Sequence, residues 1–255
     1  MKLNLKSKTF QSILLGALAI QGLQAEKSAF FIGGMYEVGI ATLKNKTIEY
    51  SGSSKNIAKS FPQTHNSMIE GFGIHMGYNQ LFGKKGWAGF RYYGFYDWGV
   101  VNFKNVSMRD DNDIINLNSK FNLSSYGVGI DLLLNVVNFT HFSLGVFGGV
   151  AIGGNTWYSA NHQKPLETRP SNLPEGANGS GLVGGDLHLK KTQFEWMFNT
   201  GIRSVIAKHV GIEAGVKIPM RNTPYLRFET KDGTHAYQED LKRNWSFYAA
   251  MFFLF

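Results

Sequence analysis

His141-Phe142-Ser143 spaces a base and a hydroxyl two residues apart. On an extended strand that spacing puts both side chains on one face, as an ester-cleaving pair requires. Nucleophilic catalysis also needs an orienting group in reach of the base, and the segment supplies none. It falls, moreover, in a short connection between two strand patterns. His65, His162, His188 and His235 are scattered over long connections, where solvated histidines are the expectation and metal ligands are not. The chain has no cysteine, so thiolate nucleophiles, disulfides and zinc fingers are excluded. Gly71-Phe72-Gly73 and Gly127-Val128-Gly129 look like phosphate loops only out of context. A phosphate cradle needs a following helix and, in its commonest form, a lysine; these glycines lie inside strand patterns and read as small residues facing a narrow interior. The expectation is a protein that is not an enzyme, with no metal site and no cofactor.

A second set of charged residues is better placed. Arg91, Arg203 and Lys217, with Asp97, Asp131, Glu195 and Glu213, all sit within stretches that alternate with apolar residues. Successive strand residues point to opposite faces, so in the cleaner stretches the charges share the face that the apolar residues leave; around Arg91 and Asp97 the stretch is aromatic on both faces, and placing these two charges inward fixes its phase. If the strands close on themselves, the seven charges meet in the interior. They then form either an ion-pair network that fills the barrel or the wall of a narrow charged conduit, since an eight-stranded interior is just wide enough for side chains to fill.

The elements that would position them are strands of membrane-crossing length. Between Gly71 and Gln80, Phe72, Ile74, Met76 and Tyr78 alternate with Gly71, Gly73, His75, Gly77 and Asn79. The pattern recurs at Ser125–Leu134, Leu144–Ile152, Gln193–Arg203, Ile212–Ile218 and Trp245–Phe255. It is less clean near Phe30–Leu43 and Trp87–Val101, the second of which is aromatic on both faces. Eight strands result. Short links fall at 82–86, 135–141 and 207–209, and long ones at about 44–69, 104–119, 158–192 and 221–242. Even strand number, short periplasmic turns and longer outer loops are the pattern of bacterial transmembrane barrels. In hydrocarbon only helices and closed barrels satisfy every backbone hydrogen bond. The expected fold class is therefore all-β: an eight-stranded antiparallel transmembrane β-barrel with four longer outer loops and three short periplasmic turns. Trp98, Trp157, Trp196 and Trp245 at the loop ends and Trp87 at a turn end are expected to form aromatic girdles.

The start of the chain fits export. Lys2, Lys6 and Lys8 precede the apolar run Ile13–Ile20 and a small residue at Ala25. The run is shorter than the roughly 20 residues of a spanning helix, so residues 1–25 read as a signal peptide and 26–255 as the barrel. Loss of the three lysines lowers the formal charge from +8 to +5. The remaining basic residues form no stripe, which argues against nucleic acid and leaves anionic lipopolysaccharide as a partner of the outer surface. Charged residues are only 17% of the chain and aromatics 14%, which suits a sheet with one face in lipid.

Four blocks resemble the Helicobacter outer-membrane protein family: GFGIHMGYNQLFGKKGWAGFRYYGFYDWG (Gly71–Gly99), SYGVGIDLLLN (Ser125–Asn135), LGVFGGVAIGGNTW (Leu144–Trp157) and FNTGIRSVIAKHVGIEAGVKIP (Phe198–Pro219). The resemblance implies a bacterial outer-membrane location. The family includes adhesins, pore-forming members and small members; this chain is similar to the small kind and lacks a large cysteine-bearing outer domain. The terminal Phe253 and Phe255 resemble the signal read by the barrel-assembly machinery, which would be a partner during insertion. Three roles stay open: a structural or surface-interaction protein acting through its outer loops, a narrow passive channel, and an adhesin that binds a host surface ligand.

Overall fold

The computed structural model describes residues 27–51, 56–83, 85–110, 113–139, 142–159, 186–229, 233 and 235–255; the leader expected over 1–25, and Pro165, Pro170 and Pro174 of the longest connection, lie outside them. Among the described residues ten strands follow one another: β1 (Ala29–Ser51), β2 (Asn56–Phe82), β3 (Ala88–Asp110), β4 (Asp113–Asn138), β5 (Phe142–Tyr158), β6 (Asp186–Leu189), β7 (Thr192–Ile206), β8 (Val210–Pro219), β9 (Thr223–Glu229) and β10 (His235–Leu254). The pairings are antiparallel, and β1 closes on β10 from Phe31↔Leu254 to Glu49↔His235. Eight strands (β1, β2, β3, β4, β5, β7, β8 and β10) make the ring. β9 continues the line of β8 along β10, and β6 continues the line of β7 along β9. They are the upper ends of two broken wall strands. Closure leaves no open edge in the lipid, where an unpaired amide would cost several kcal/mol.

The short connections fall where the alternation breaks, at 83–87, 139–141 and 207–209. Gly83 and Gly86 have φ of +69° and +56° in the first. In the last, Ala207 and Lys208 take φ of +52° and +69°, and the His209 amide donates to the Ile206 carbonyl at 3.3 Å. Both central residues of this hairpin turn are left-handed, which suits the twist of the flanking strands but favours Asn and Gly.

The outer connections differ from expectation. Residues 44–69 and 104–119, read as loops, are largely strand: β1 runs to Ser51, β2 begins at Asn56, β3 runs to Asp110 and β4 begins at Asp113. β2 has 27 residues, whereas about 9–11 cross a bilayer. The hairpins therefore stand well beyond the apolar belt. Above the belt the outward residues turn polar (Thr42, Lys44, Lys46 on β1) while inward Ala41 and Leu43 stay apolar. A strand with one buried face and one wet face persists without lipid.

Inside this outer part, Ala41, Leu43, Ile69, Val101, Phe103, Phe121, Leu123, Trp157, Tyr225, Leu226, Phe228, Tyr237 and Leu241 form one buried cluster. Phe121 meets Tyr225 edge-on at 5.3 Å and Trp157 at 6.3 Å between ring centroids, the arrangement aromatic quadrupoles prefer. Smaller apolar clusters sit below, around Met35, Leu133, Phe147 and Tyr248, and around Phe31, Val205, Phe252 and Leu254.

Candidate functional site: a filled lumen

Six of the seven charges expected in the interior join two buried groups, and the seventh stands apart. In the first group, Arg91 donates to Asp131 at 2.6 and 2.9 Å and also to Glu213, while Arg203 reaches Glu213 at 3.4 Å. Each comes from a different strand: Arg91 from β3, Asp131 from β4, Arg203 from β7 and Glu213 from β8. The register sets Arg91 directly against Asp131 and Arg203 directly against Glu213, so Arg91 has only to reach across the barrel to tie the two pairs together. The Arg91 guanidinium also lies 4.7 Å from the Phe147 ring and 5.3 Å from the Tyr93 ring. A cation stripped of water gains from such faces.

In the second group, Lys217 of β8 donates to Asp97 of β3 at 2.7 Å and to Glu37 of β1. Arg243 of β10 donates to Glu37 at 3.2 Å and lies 3.9 Å from Asp97. Both groups hold two cations and two carboxylates, so each is neutral. Glu195 is separate: it accepts from Asn155 at 2.6 Å and from the Arg221 amide at 3.1 Å.

Glu37 and Arg243 were not among the residues singled out in the sequence. Arg243 has the same parity as the outward Trp245, but a bulge intervenes: Ile40 pairs with Trp245 and Ala41 with Arg243, skipping Asn244. One extra residue reverses the faces, and Arg243 turns inward.

Among the tryptophans, Trp87, Trp98 and Trp245 are 45%, 42% and 37% exposed on the outer surface, and Trp196 is half-buried beside Phe198. Trp157 corrects the expectation: it is 0% exposed and lies in the outer core, not in a girdle. It shares the inward phase of Phe147, Ala151 and Asn155 on β5. In proteins carrying one tryptophan each, bromine-bearing lipids will quench Trp87, Trp98 and Trp245 and leave Trp157 bright. Strong quenching of Trp157 would place it in the lipid instead.

Phe253 and Phe255 point outward at the turn end of the closing strand; the Phe255 amide donates to the Phe30 carbonyl at 2.9 Å. Of the proposed hydrolytic spacing, Ser143 is buried on β5 and His141 lies outside the described residues. His65 contacts Gln63, 3.4 Å away; His188 and His235 sit on β6 and β10, and His162 lies outside the described residues. In the outer core, Tyr237 donates to Glu239 at 2.5 Å. Burial, then the nearby Glu239 charge, pushes the Tyr225 hydroxyl up to about 12, and the same causes raise Tyr237.

A closed eight-stranded ring with an apolar belt, a polar upper rim and a charge-bearing interior is the form in which a sheet crosses an outer membrane. The sequence profile of the Helicobacter outer membrane protein family matches residues 73–255. The chain belongs to that family. This places the barrel in the bacterial outer membrane, with its short turns and both described ends on the periplasmic side. No curated protein matches the chain. Among solved structures, this family member is similar to the outer membrane protein OprG of Pseudomonas aeruginosa (12% identity, 92% of this chain and 99% of that one, TM-score 0.48). It is also similar to Ail, the attachment invasion locus protein of Yersinia pestis (10% identity, 87% and 99%, TM-score 0.30), and to the outer membrane protease OmpT of Escherichia coli (8% identity, 91% and 100%, TM-score 0.33).

Proposed function

We propose that this family member is a closed barrel of the cell envelope, non-catalytic, whose structural or surface-interaction role is carried by the outer ends of its strands and the segments that join them. The observation that carries this reading is the filling of the lumen. Two neutral ion-pair groups cross it, and the outer aromatic core lies above them. The space beside Glu37, Asp97 and Arg243 measures about 10 Å³, room for about one water molecule. A conduit for solutes needs a continuous path, and paired charges packed against rings offer none.

The test is conductance of the refolded protein in a planar bilayer. The wild type is expected to be silent. The variant K217A/D97A removes one cation and one carboxylate, leaves the Arg243–Glu37 pair and keeps the interior neutral, so it should still fold and should pass small discrete currents. Discrete steps from the wild type would overturn the closed reading in favour of a channel, with Glu37, Asp97, Lys217 and Arg243 as its selectivity residues. An unchanged, silent K217A/D97A barrel would mean that this ion-pair group is not what blocks the lumen.

A further inference from the structure

On the outer surface, one row above the aromatic belt, lies a polar recess of about 280 Å³ lined by Thr42, Lys44, Thr64, Asn66, Asn222, Asp240, Lys242 and Asn244. The register arranges its floor as a grid. Asn66, Thr42 and Lys242 face one another across β2, β1 and β10, and Thr64, Lys44 and Asp240 form the next row. Its near row is preorganised: Asn244 donates to the Thr42 hydroxyl at 2.8 Å, and Thr42 donates to Asn66 at 2.6 Å. The bulge that turns Arg243 into the lumen is what turns Asn244 out to complete this chain. Asn222, in the step between β8 and β9, adds the far side.

The electrostatics are unbalanced. Lys44 and Lys242 are diagonal neighbours, with backbones about 7–8 Å apart, near enough for long side chains to meet. Asp240, the carboxylate opposite Lys44, is held by Arg227 at 2.5 Å. Neither lysine has an ion-pair partner among the described residues. Two ammonium groups on one face repel unless an anion lies between them. The depth is equally specific. Trp245 on β10, Ile40 on β1 and Met68 on β2 are the last large apolar residues before the recess, so the recess meets the headgroups of the outer leaflet.

We infer that the recess binds the phosphorylated sugar headgroup of an outer-leaflet glycolipid. Lys44 and Lys242 clamp the phosphate, and Thr64, Asn66, Asn222 and Asn244 bond sugar hydroxyls. The apolar residues below, Met68, Phe72 and Phe247, are exposed and lie under the acyl chains. The inference rests on the outer-membrane location and is independent of whether the lumen is closed.

Native mass spectrometry of the full chain in detergent, titrated with diphosphoryl lipid A, its dephosphorylated form, phosphatidylglycerol or inorganic phosphate, tests it. The wild type should retain one diphosphoryl lipid A in preference to the other three. The variant K44Q/K242Q should lose that retention by on the order of tenfold or more, given the contribution of two lysines at a lipid surface. K44R/K242R, which keeps the charge, should retain it, as should K208Q at the periplasmic turn. Heat-shifted mobility on gels checks that each variant is folded, and the wild-type preference decides the matter even if one is not. Equal retention of the dephosphorylated lipid or of phosphatidylglycerol, retention of inorganic phosphate alone to the same extent, or undiminished retention by folded K44Q/K242Q overturns the site.

Discussion

Replacing Arg91 by methionine should destabilise the barrel by about 3–5 kcal/mol, the usual cost of removing one partner from a buried ion pair. Arg91 is nearly inaccessible and gives three hydrogen bonds to two carboxylates. Without it, among the described residues Asp131 keeps the Tyr93 hydroxyl at 3.4 Å and Glu213 keeps Arg203 at 3.4 Å. Methionine fills much of the space between Phe31, Tyr93 and Phe147, so lost packing is the smaller part of the effect and unpaired buried charge the larger. The double variant R91M/D131N removes one charge of each sign and leaves Arg203 with Glu213. It should recover to within about 1–2 kcal/mol of the wild type, because a balanced interior does not need that particular pair. Urea unfolding in lipid vesicles, followed by tryptophan emission, measures both. If R91M costs no more than the surface change K208Q, the first group does not hold the wall together.

The fold was legible because the belt repeats one simple pattern. Phe72, Ile74 and Met76, or Ile212, Ala214 and Val216, alternate against small or charged residues for as long as the strand lies in lipid. The same alternation put Arg91, Asp97, Asp131, Arg203, Glu213 and Lys217 on the lumen face, where they are. It did not reveal which of them meet, since partners across a barrel depend on tilt and register that no single strand records. Glu37 escaped notice because β1 is apolar on both faces: Phe31 and Met35 point in while Ile32 and Tyr36 point out. Arg243 escaped because a bulge has no signature in alternation except its failure. Trp157 shows the opposite case. The phase of Leu144, Val146, Val150 and Ile152 already placed it inward, and the girdle expectation followed residue type against that phase. The outer hairpins read as loops because their outward face is polar, a composition that a wet strand and a loop share.

Gly127→Val should cost at least about 3 kcal/mol, at or beyond the upper end for overpacking, because the obstacle is backbone and cannot change rotamer. Gly127 on β4 faces Gly153 on β5. A Cβ at Gly127 would lie 2.1 Å from the Ile152 carbonyl oxygen and 2.8 Å from the Gly153 Cα; at Gly153 it would lie 1.9 Å from the Tyr126 carbonyl oxygen. Any side chain must push the two strands apart, and in a closed ring that strain has no free edge at which to relax. Gly94 provides the contrast on the neighbouring strand: a Cβ there meets nothing nearer than the Gly127 carbonyl at 3.8 Å, so Gly94→Ala should stay within about 1 kcal/mol. Folding yield into vesicles and urea midpoints separate the two outcomes. Equal tolerance of Gly127→Val and Gly94→Ala would show that β4 and β5 approach less closely than this. A large difference would give Gly127 and Gly153 their physical meaning here, as the point at which two strands of a narrow barrel touch along their backbones.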